Sequence, residues 1–184
     1  MILPKFLALL SILTVTVVVA DEAWFNCEYY DRCPLYTGFI PFRRNDSWWC
    51  SKPFGFPTGD SPVSYETAQE ICEKNFLTLS SIETVEEKDY YQRFAIPFGV
   101  KSAWLGIRQN SAGQYEWADS GNFDRTISPQ PVNMAPGKYP AFVWNPEING
   151  ISYGHFEGVN LDGTGEAPAN MVLCGYPGVG PLWN

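Results

Sequence analysis

Histidine is almost absent from this chain of 184 residues, in which His155 is the only one. No two of the five cysteines have Cys-x-x-Cys spacing. Structural zinc sites take four cysteine or histidine ligands, and two of them usually lie close together in the sequence. A structural zinc site is therefore not expected. The His-Glu-x-x-His motif of zinc hydrolases is also missing, and we expect His155 to form hydrogen bonds in a loop.

Long hydrophobic runs are equally scarce, and the clearest one lies near the N-terminus. Residues 6–19 are apolar and uncharged, they follow Lys5, and Ala20 supplies a small residue of the kind that signal peptidase requires. This run is shorter than the roughly 20 residues that cross a bilayer. We therefore predict a secretory signal peptide over residues 1–20 and an N-terminal segment over residues 21–32. No later run is long enough to span a membrane, so we expect a secreted, extracellular protein.

Basic residues are outnumbered, with 12 lysines and arginines against 20 acidic residues and a formal net charge of −8. Arg43 and Arg44 form the only basic cluster. Nucleic acids and anionic membranes are bound by clustered positive charge. We therefore expect neither of them as a partner. The residues that follow the signal peptide are enough for one well-buried domain.

Two further features fit an oxidising, extracellular compartment. Five cysteines follow the signal peptide, and such cysteines usually form disulfides. Because their number is odd, at least one has no partner within the chain, and Cys27 is a candidate for linking the protein into an oligomer. Asn45-Asp46-Ser47 is the single N-glycosylation sequon, and we predict a glycan on Asn45.

Two amphipathic segments predict helices. The first covers residues 64–75, with Ser64 as its N-cap and apolar residues at helical spacing behind it. The second begins at a capping box formed by Thr84 and Glu87 and continues to about Ala95.

Strand patterns, separated by turns, make up much of the rest. Short apolar or alternating runs predict strands at residues 77–79, 103–107, 114–118 and 171–174. The second and third of these runs resemble a hairpin. Residues 122–169 show little periodicity, and a loop of this length inside a small domain is usually functional. Helices followed by strands give an α+β fold with an antiparallel sheet.

Four short motifs resemble those of C-type lectin-like domains. Trp104-Leu105-Gly106-Ile107 is similar to the family's WIGL core strand, and Leu79-Ser80-Ser81-Ile82 is similar to its LASI link between two helices. Residues 115–121 resemble the W-x-W-x-DG strand and turn, and Trp183-Asn184 resembles the start of the WND motif.

The resemblance implies a C-type lectin-like fold over residues 33–184, in which two helices pack on small antiparallel sheets. Trp104, Gly106 and Trp117 would belong to the core motif, with the two tryptophans on adjacent strands. The long loop would leave this platform to recognise a ligand.

The resemblance also raises calcium as a cofactor. Sugar-binding members hold one calcium ion with a Glu-Pro-Asn or Gln-Pro-Asp triplet in the long loop and with the Asn-Asp of WND, and the ion coordinates sugar hydroxyls. Here Asn145-Pro146-Glu147 is a reversed triplet, and in another alignment Ile148-Asn149-Gly150 fills the slot. Calcium takes six to eight oxygen ligands, so these departures favour a structural loop. The candidate ligand or metal-binding residues are Asn145, Glu147, Asn149, Asp162, Glu166 and Asn184.

The cysteines carry a second implication. Cys33 and Cys50 resemble the extra bridge of the long form of the domain. Cys72 and Cys174 would pair with the family's last two cysteines, which do not follow Trp183-Asn184. We therefore expect Cys72 and Cys174 to lack partners and the domain to lack its final strand, as in a truncated form. A second alignment stays open, in which Asn170-Met171 occupies the family's Asn-Cys position.

These observations favour an extracellular recognition module that binds a glycan or glycoprotein and is not an enzyme. The alternative is a protein-binding or structural interaction domain without sugar activity. A glycosidase that uses two of the carboxylates in the long loop is a more distant hypothesis; its candidate residues are Glu147, Glu157, Asp162 and Glu166.

Overall fold

Strands and two α-helices account for most of the described chain. The computed structural model describes residues 32–35, 38–45, 47–55, 61–119, 126–144 and 154–180. In chain order, the elements within these ranges are β1 (Ile40–Arg44), β2 (Ser47–Gly55), α1 (Tyr65–Lys74), β3 (Thr78–Leu79), α2 (Val85–Ala95), a 3-10 helix (Ile96–Phe98), β4 (Ser102–Trp104), β5 (Ile107–Gln109), β6 (Tyr115–Trp117), β7 (Lys138–Trp144), β8 (Gly154–Asn160) and β9 (Ala169–Pro177). The predicted signal peptide lies outside these ranges. No helix in the described part of the chain has the length and apolar character needed to cross a membrane.

Both α-helices begin where the sequence predicted their caps. Ser64 accepts a hydrogen bond from the Thr67 amide at the start of α1. Thr84 and Glu87 form a complete capping box at the start of α2, in which each side chain accepts a hydrogen bond from the other residue's backbone N–H. These bonds satisfy amides that have no partner within the helix. The local sequence is therefore sufficient to fix the start of each helix.

A seven-stranded sheet runs through the domain in the order β1-β2-β9-β4-β7-β8, with β3 paired to β9. β4 and β9 are parallel to each other, and the other neighbours are antiparallel. β5 and β6 form a separate two-stranded hairpin. The α+β fold predicted from the sequence is confirmed.

Two hydrophobic cores lie on opposite faces of the large sheet. Side chains alternate between the faces of a strand, and β7 accordingly contributes Ala141 and Val143 to one core and Phe142 and Trp144 to the other. Residues of α1 pack into the first core, and residues of α2 pack into the second. Each helix therefore covers one face of the sheet.

Trp104 and Trp117 are both buried, but they do not lie on adjacent strands. Trp104 belongs to β4 and packs in the first core, whereas Trp117 belongs to β6 and packs in the second. The strand predicted over residues 103–107 is divided between β4 and β5 by a bend at Gly106. A Cβ atom on Gly106 would lie 2.2 Å from the Leu79 carbonyl oxygen, so only glycine allows this approach. The expectation that Trp104 and Trp117 lie on adjacent strands is therefore wrong.

Residues 122–169 do not form a single irregular loop, because β7 and β8 lie within them and pair along their whole length. Proline and glycine are rare in strands. Because β7 contains Pro140 and β8 contains Gly158, the sequence did not predict either strand in full. β7 pairs with β4 only from Ala141 to Val143. Pro140 comes just before this paired stretch, so its missing N–H is tolerated. The recognition loop that the sequence predicted therefore contains a pair of antiparallel strands.

Two disulfides join four of the cysteines. Cys33 is bonded to Cys50, as the resemblance implied. Cys72 of α1 is bonded to Cys174 of β9, so the expectation that both lack partners is wrong. The two residues are 102 positions apart, and only the fold brings them together. Cys27 lies outside the described residues.

The expectation that the domain lacks its final strand is also wrong. β9 lies inside the large sheet, where it pairs with β2 on one side and with β4 on the other. The WND motif of the family precedes the closing strand and its cysteine, whereas Trp183-Asn184 follows β9 in the sequence. The alignment of Trp183-Asn184 with that motif therefore does not hold, and Asn184 lies outside the described residues.

A buried arginine at the end of β1 joins three parts of the domain. Arg44 donates hydrogen bonds to Glu87 of α2 (Nε to Oε1, 2.7 Å), to Glu83 (3.0 Å) and to Asp119 after β6 (3.3 Å). Asp119 Oδ2 also accepts a hydrogen bond from the Ser81 amide at 2.7 Å. Burial raises the pKa of the Asp119 carboxyl. This cluster fixes the point at which the chain leaves the β5–β6 hairpin.

Candidate functional site

The residues predicted to bind a ligand or metal are only partly described. Asn145, Glu147, Asn149 and Asn184 lie outside the described residues. Asp162 and Glu166 lie in the connection between β8 and β9.

Asp162 stabilises the turn that contains it. Its Oδ1 atom accepts hydrogen bonds from the Thr164 amide (2.9 Å) and hydroxyl (2.6 Å). These bonds favour the charged form and lower the pKa of Asp162. The assignment of Asp162 as a ligand-binding or metal-binding residue stays a prediction.

Glu166 lines a concavity of about 830 Å³ between the β7–β8 hairpin, the 3-10 helix and the β8–β9 connection. Its lining also includes two lysines, Lys101 and Lys138, and a second acid, Glu157. The apolar part of the lining includes Val143, Trp144 and Val159, all of them buried. Ligand sites in proteins measure roughly 300–1,000 Å³ and combine an apolar lining with a few fixed polar groups, and this concavity has both properties.

Glu157 is held in this concavity by contacts to both of its carboxylate oxygens. Its Oε1 accepts a hydrogen bond from Asn133 Nδ2 at 2.7 Å, and its Oε2 lies 2.9 Å from His155 Nε2. The bond from Asn133, followed by the contact with His155, lowers the pKa of Glu157, so this partly exposed side chain is a carboxylate at neutral pH. We call Asn133, His155 and Glu157 the edge triad.

Backbone pairing places the edge triad on the outer side of β8. Val132 donates its amide to the Phe156 carbonyl (3.0 Å) and accepts a hydrogen bond from the Gly158 amide (3.0 Å). The segment before β7 thus runs beside β8 and brings Asn133 to Glu157. Asn133 has a φ of 55°, a conformation that asparagine tolerates better than most residues.

The sequence interpretation did not identify the edge triad as a binding site. His155 and Glu157 are two residues apart, and this spacing places two side chains on the same face if the segment is a strand. This spacing indicates a shared face only if the segment is first recognised as the strand β8. The contribution of Asn133, 24 positions away, had no signal in the sequence.

The carboxylate of Glu157 does not suit acid catalysis. Glycosidases need a general acid whose pKa is raised, whereas the surroundings of Glu157 lower its pKa. The Gly-x-Ser-x-Gly motif of serine hydrolases does occur, at residues 150–154, but it requires a strand-to-helix turn. Gly154 begins β8, so a strand follows these residues and the helix that the motif needs does not.

The described residues contain no cluster of carboxylates placed to hold a calcium ion. Calcium needs six to eight oxygen ligands, with carboxylates among them. Within the described ranges, no three His, Cys, Asp or Glu side chains are placed to share a metal ion.

Comparisons with known proteins agree with this fold. The family model described as the lectin C-type domain matches residues 61–140. Among solved structures, SPL-1 in complex with GlcNAc has a TM-score of 0.51 and 16% identity, with 78% of this chain and 96% of that chain covered. The C-type lectin domain of murine dendritic cell inhibitory receptor 2 in complex with N-glycan has a TM-score of 0.49 and 14% identity, covering 77% and 98%. The Ca2+-independent C-type lectin SPL-2 from Saxidomus purpuratus has a TM-score of 0.49 and 17% identity, covering 77% and 92%. No curated protein matches the chain in sequence.

The family match covers α1, α2 and the strands that carry Trp104 and Trp117. The remaining strands complete the same architecture, and Cys72–Cys174 joins its first helix to its last strand. The chain therefore has a C-type lectin-like fold.

Proposed function

We propose that this chain is an extracellular glycan-binding module, and that it holds its ligand in the concavity lined by Glu157 of the edge triad, without a calcium ion there. The observation that carries this proposal is the fixed carboxylate of Glu157. Asn133 and His155 hold both of its oxygens in place, so the acceptor is already oriented before a ligand arrives. A preoriented group loses less conformational entropy on binding.

The chemistry of the concavity suits a sugar. Carboxylate oxygens can each accept more than one hydrogen bond, and lysine ammonium groups donate. Glu157 and Glu166 can therefore receive the hydroxyl hydrogens of a pyranose, while Lys101 and Lys138 donate to its oxygens.

A glycan array followed by calorimetry tests this proposal. The secreted full-length protein would be screened first, and the best glycan would then be titrated with and without EDTA. We expect Glu157→Gln to weaken binding by about 1.5–3 kcal/mol, the net value of a hydrogen bond to a charged group, or roughly 10- to 100-fold in Kd. Glu73→Gln, which changes an exposed glutamate on α1, is the matched control.

Two results would contradict the proposal. Equal affinity of Glu157→Gln and the unchanged protein would remove the concavity as the binding site. Loss of binding in EDTA would show that an ion is required and would direct attention to Asn145, Glu147 and Asn149, which lie outside the described residues.

Protein binding is the second candidate function. Ile96 and Phe98 of the 3-10 helix are 44% and 51% exposed, and Ile96 lines the concavity. Exposed apolar side chains are typical of surfaces that bind other proteins. If no glycan on the array binds, Ile96→Ser and Phe98→Ser would be compared with the unchanged protein in capture of glycoproteins and their deglycosylated forms. A disulfide-linked oligomer through Cys27 stays a separate prediction, which non-reducing electrophoresis tests.

A further inference from the structure

A second groove, of about 440 Å³, lies between the β1–β2 hairpin, the β5–β6 hairpin and β8. Its lining includes Trp117, Ile127 and Phe156. Phe156 is next to Glu157 in β8, and consecutive side chains of a strand point to opposite faces. The groove therefore lies on the other face of β8 from the concavity.

The rim of this groove carries the predicted glycosylation site. Asn45 lines the groove, its side chain is exposed, and it lies in the turn between β1 and β2 with a φ of 43°. Asn45-Asp46-Ser47 is also the single sequon of the chain. An attached sugar would start at the groove and would not have to reach it from elsewhere on the surface.

We propose that Asn45 carries an N-glycan and that the first sugar of this glycan lies in the groove, against the face of Phe156. The tether supplies a high effective concentration, so weak contacts are sufficient to hold the sugar there. The groove falls within the size range of small-ligand sites, roughly 300–1,000 Å³.

The side chains of the groove match the two surfaces of a pyranose. Trp117 and Phe156 pack edge to face, with ring centroids 5.4 Å apart, and Phe156 is the more exposed of the two. The aromatic surface can cover the C–H face of the ring. Glu83, which also lines the groove, supplies a carboxylate for its hydroxyls. The glycan would then protect one face of the outermost strand of the sheet, and the other face would stay open for a ligand.

The experiment uses the full chain secreted from eukaryotic cells. Intact and peptide mass spectra first establish whether Asn45 is glycosylated. Covalent side-chain footprinting then measures the reactivity of Phe156 in the unchanged protein and in Ser47→Ala, which removes the sequon and keeps Asn45. Ser47→Thr is the control, because it keeps both the sequon and a hydroxyl. The Ser47 hydroxyl donates to the Arg44 carbonyl at 3.2 Å in the same turn, so Ser47→Ala loses this bond as well as the glycan. Enzymatic removal of the glycan from the unchanged protein keeps the bond and separates the two effects.

We expect low labelling of Phe156 in the unchanged protein and in Ser47→Thr, and a clear increase in Ser47→Ala. An endoglycosidase that leaves one GlcNAc on Asn45 should preserve the low labelling, because the first sugar makes the contact. A peptide N-glycosidase should abolish it. An unmodified Asn45, or labelling of Phe156 that is the same with and without the glycan, would overturn the proposal. Labelling that rises fully in the one-sugar form would also overturn it, because the outer sugars would then make the contact.

Discussion

Removal of the Cys72–Cys174 disulfide is the sharpest test of the fold. The bond closes a loop of 102 residues between α1 and β9. In the chain-entropy model, a crosslink over a loop of roughly 100 residues stabilises the folded state by about 4.7 kcal/mol, because it restricts the unfolded chain. We expect the double variant Cys72→Ala with Cys174→Ala to lose a free energy of unfolding of about this size.

The other disulfide provides a matched control. Cys33 and Cys50 are 17 positions apart, and the same model gives about 3 kcal/mol for a loop of this size. All four cysteines are at most 2% exposed, so the cost of alanine in the core is similar for the two double variants. The difference between them should therefore report loop length, and we expect it to be about 1.5–2 kcal/mol.

Guanidinium unfolding of the three proteins measures these values, and non-reducing peptide mapping identifies the disulfide partners. Each double variant should also unfold with a larger m-value, because its unfolded state is less compact. Recovery of Cys72 as a free thiol, or as a peptide linked to Cys27, would refute the pairing. Equal stability of the two double variants would refute the loop-length argument.

Three further predictions concern charged groups. Arg44→Met leaves buried carboxylates without their cation and should cost about 3–5 kcal/mol of stability in thermal or chemical unfolding, whereas Arg43→Met, at an exposed neighbour, should cost little. Burial raises the pKa of Asp119 above its usual value of 3.8. Protonation of Asp119 therefore stabilises the folded state fully below pH 3.8, and this stabilisation is lost as the pH rises through the folded-state pKa. The stability of Asp119→Asn should therefore fall less between acidic and neutral pH than that of the unchanged protein, and an unchanged slope would contradict this. For Glu157, whose pKa is lowered from 4.5, glycan binding should persist at pH 5 and be lost only as the pH falls through the folded-state pKa, as calorimetry at several pH values would show.

Features that depend on neighbouring residues were predictable from the sequence. Ser64, Thr84 and Glu87 satisfy nearby backbone amides, so their spacing alone marks the two helix starts. The motif around Trp104 identified a core strand, and the order of helices and strands gave the α+β class. The Cys33–Cys50 bond came from the resemblance to a known family, and the structure contains it.

The tertiary structure decided the pairing of Cys72 with Cys174, the division of β4 from β5 at Gly106, and the edge triad that forms the candidate site. Each of these depends on contacts between residues that are far apart in the sequence: Leu79 limits the space at Gly106, and Asn133 reaches Glu157 only because β8 lies beside the segment before β7. Local patterns determine where a helix or a strand can begin, because caps and alternation act over a few residues. Which distant side chains meet depends on how the strands are ordered in the sheet, and that order is set by the packing of the two cores as a whole.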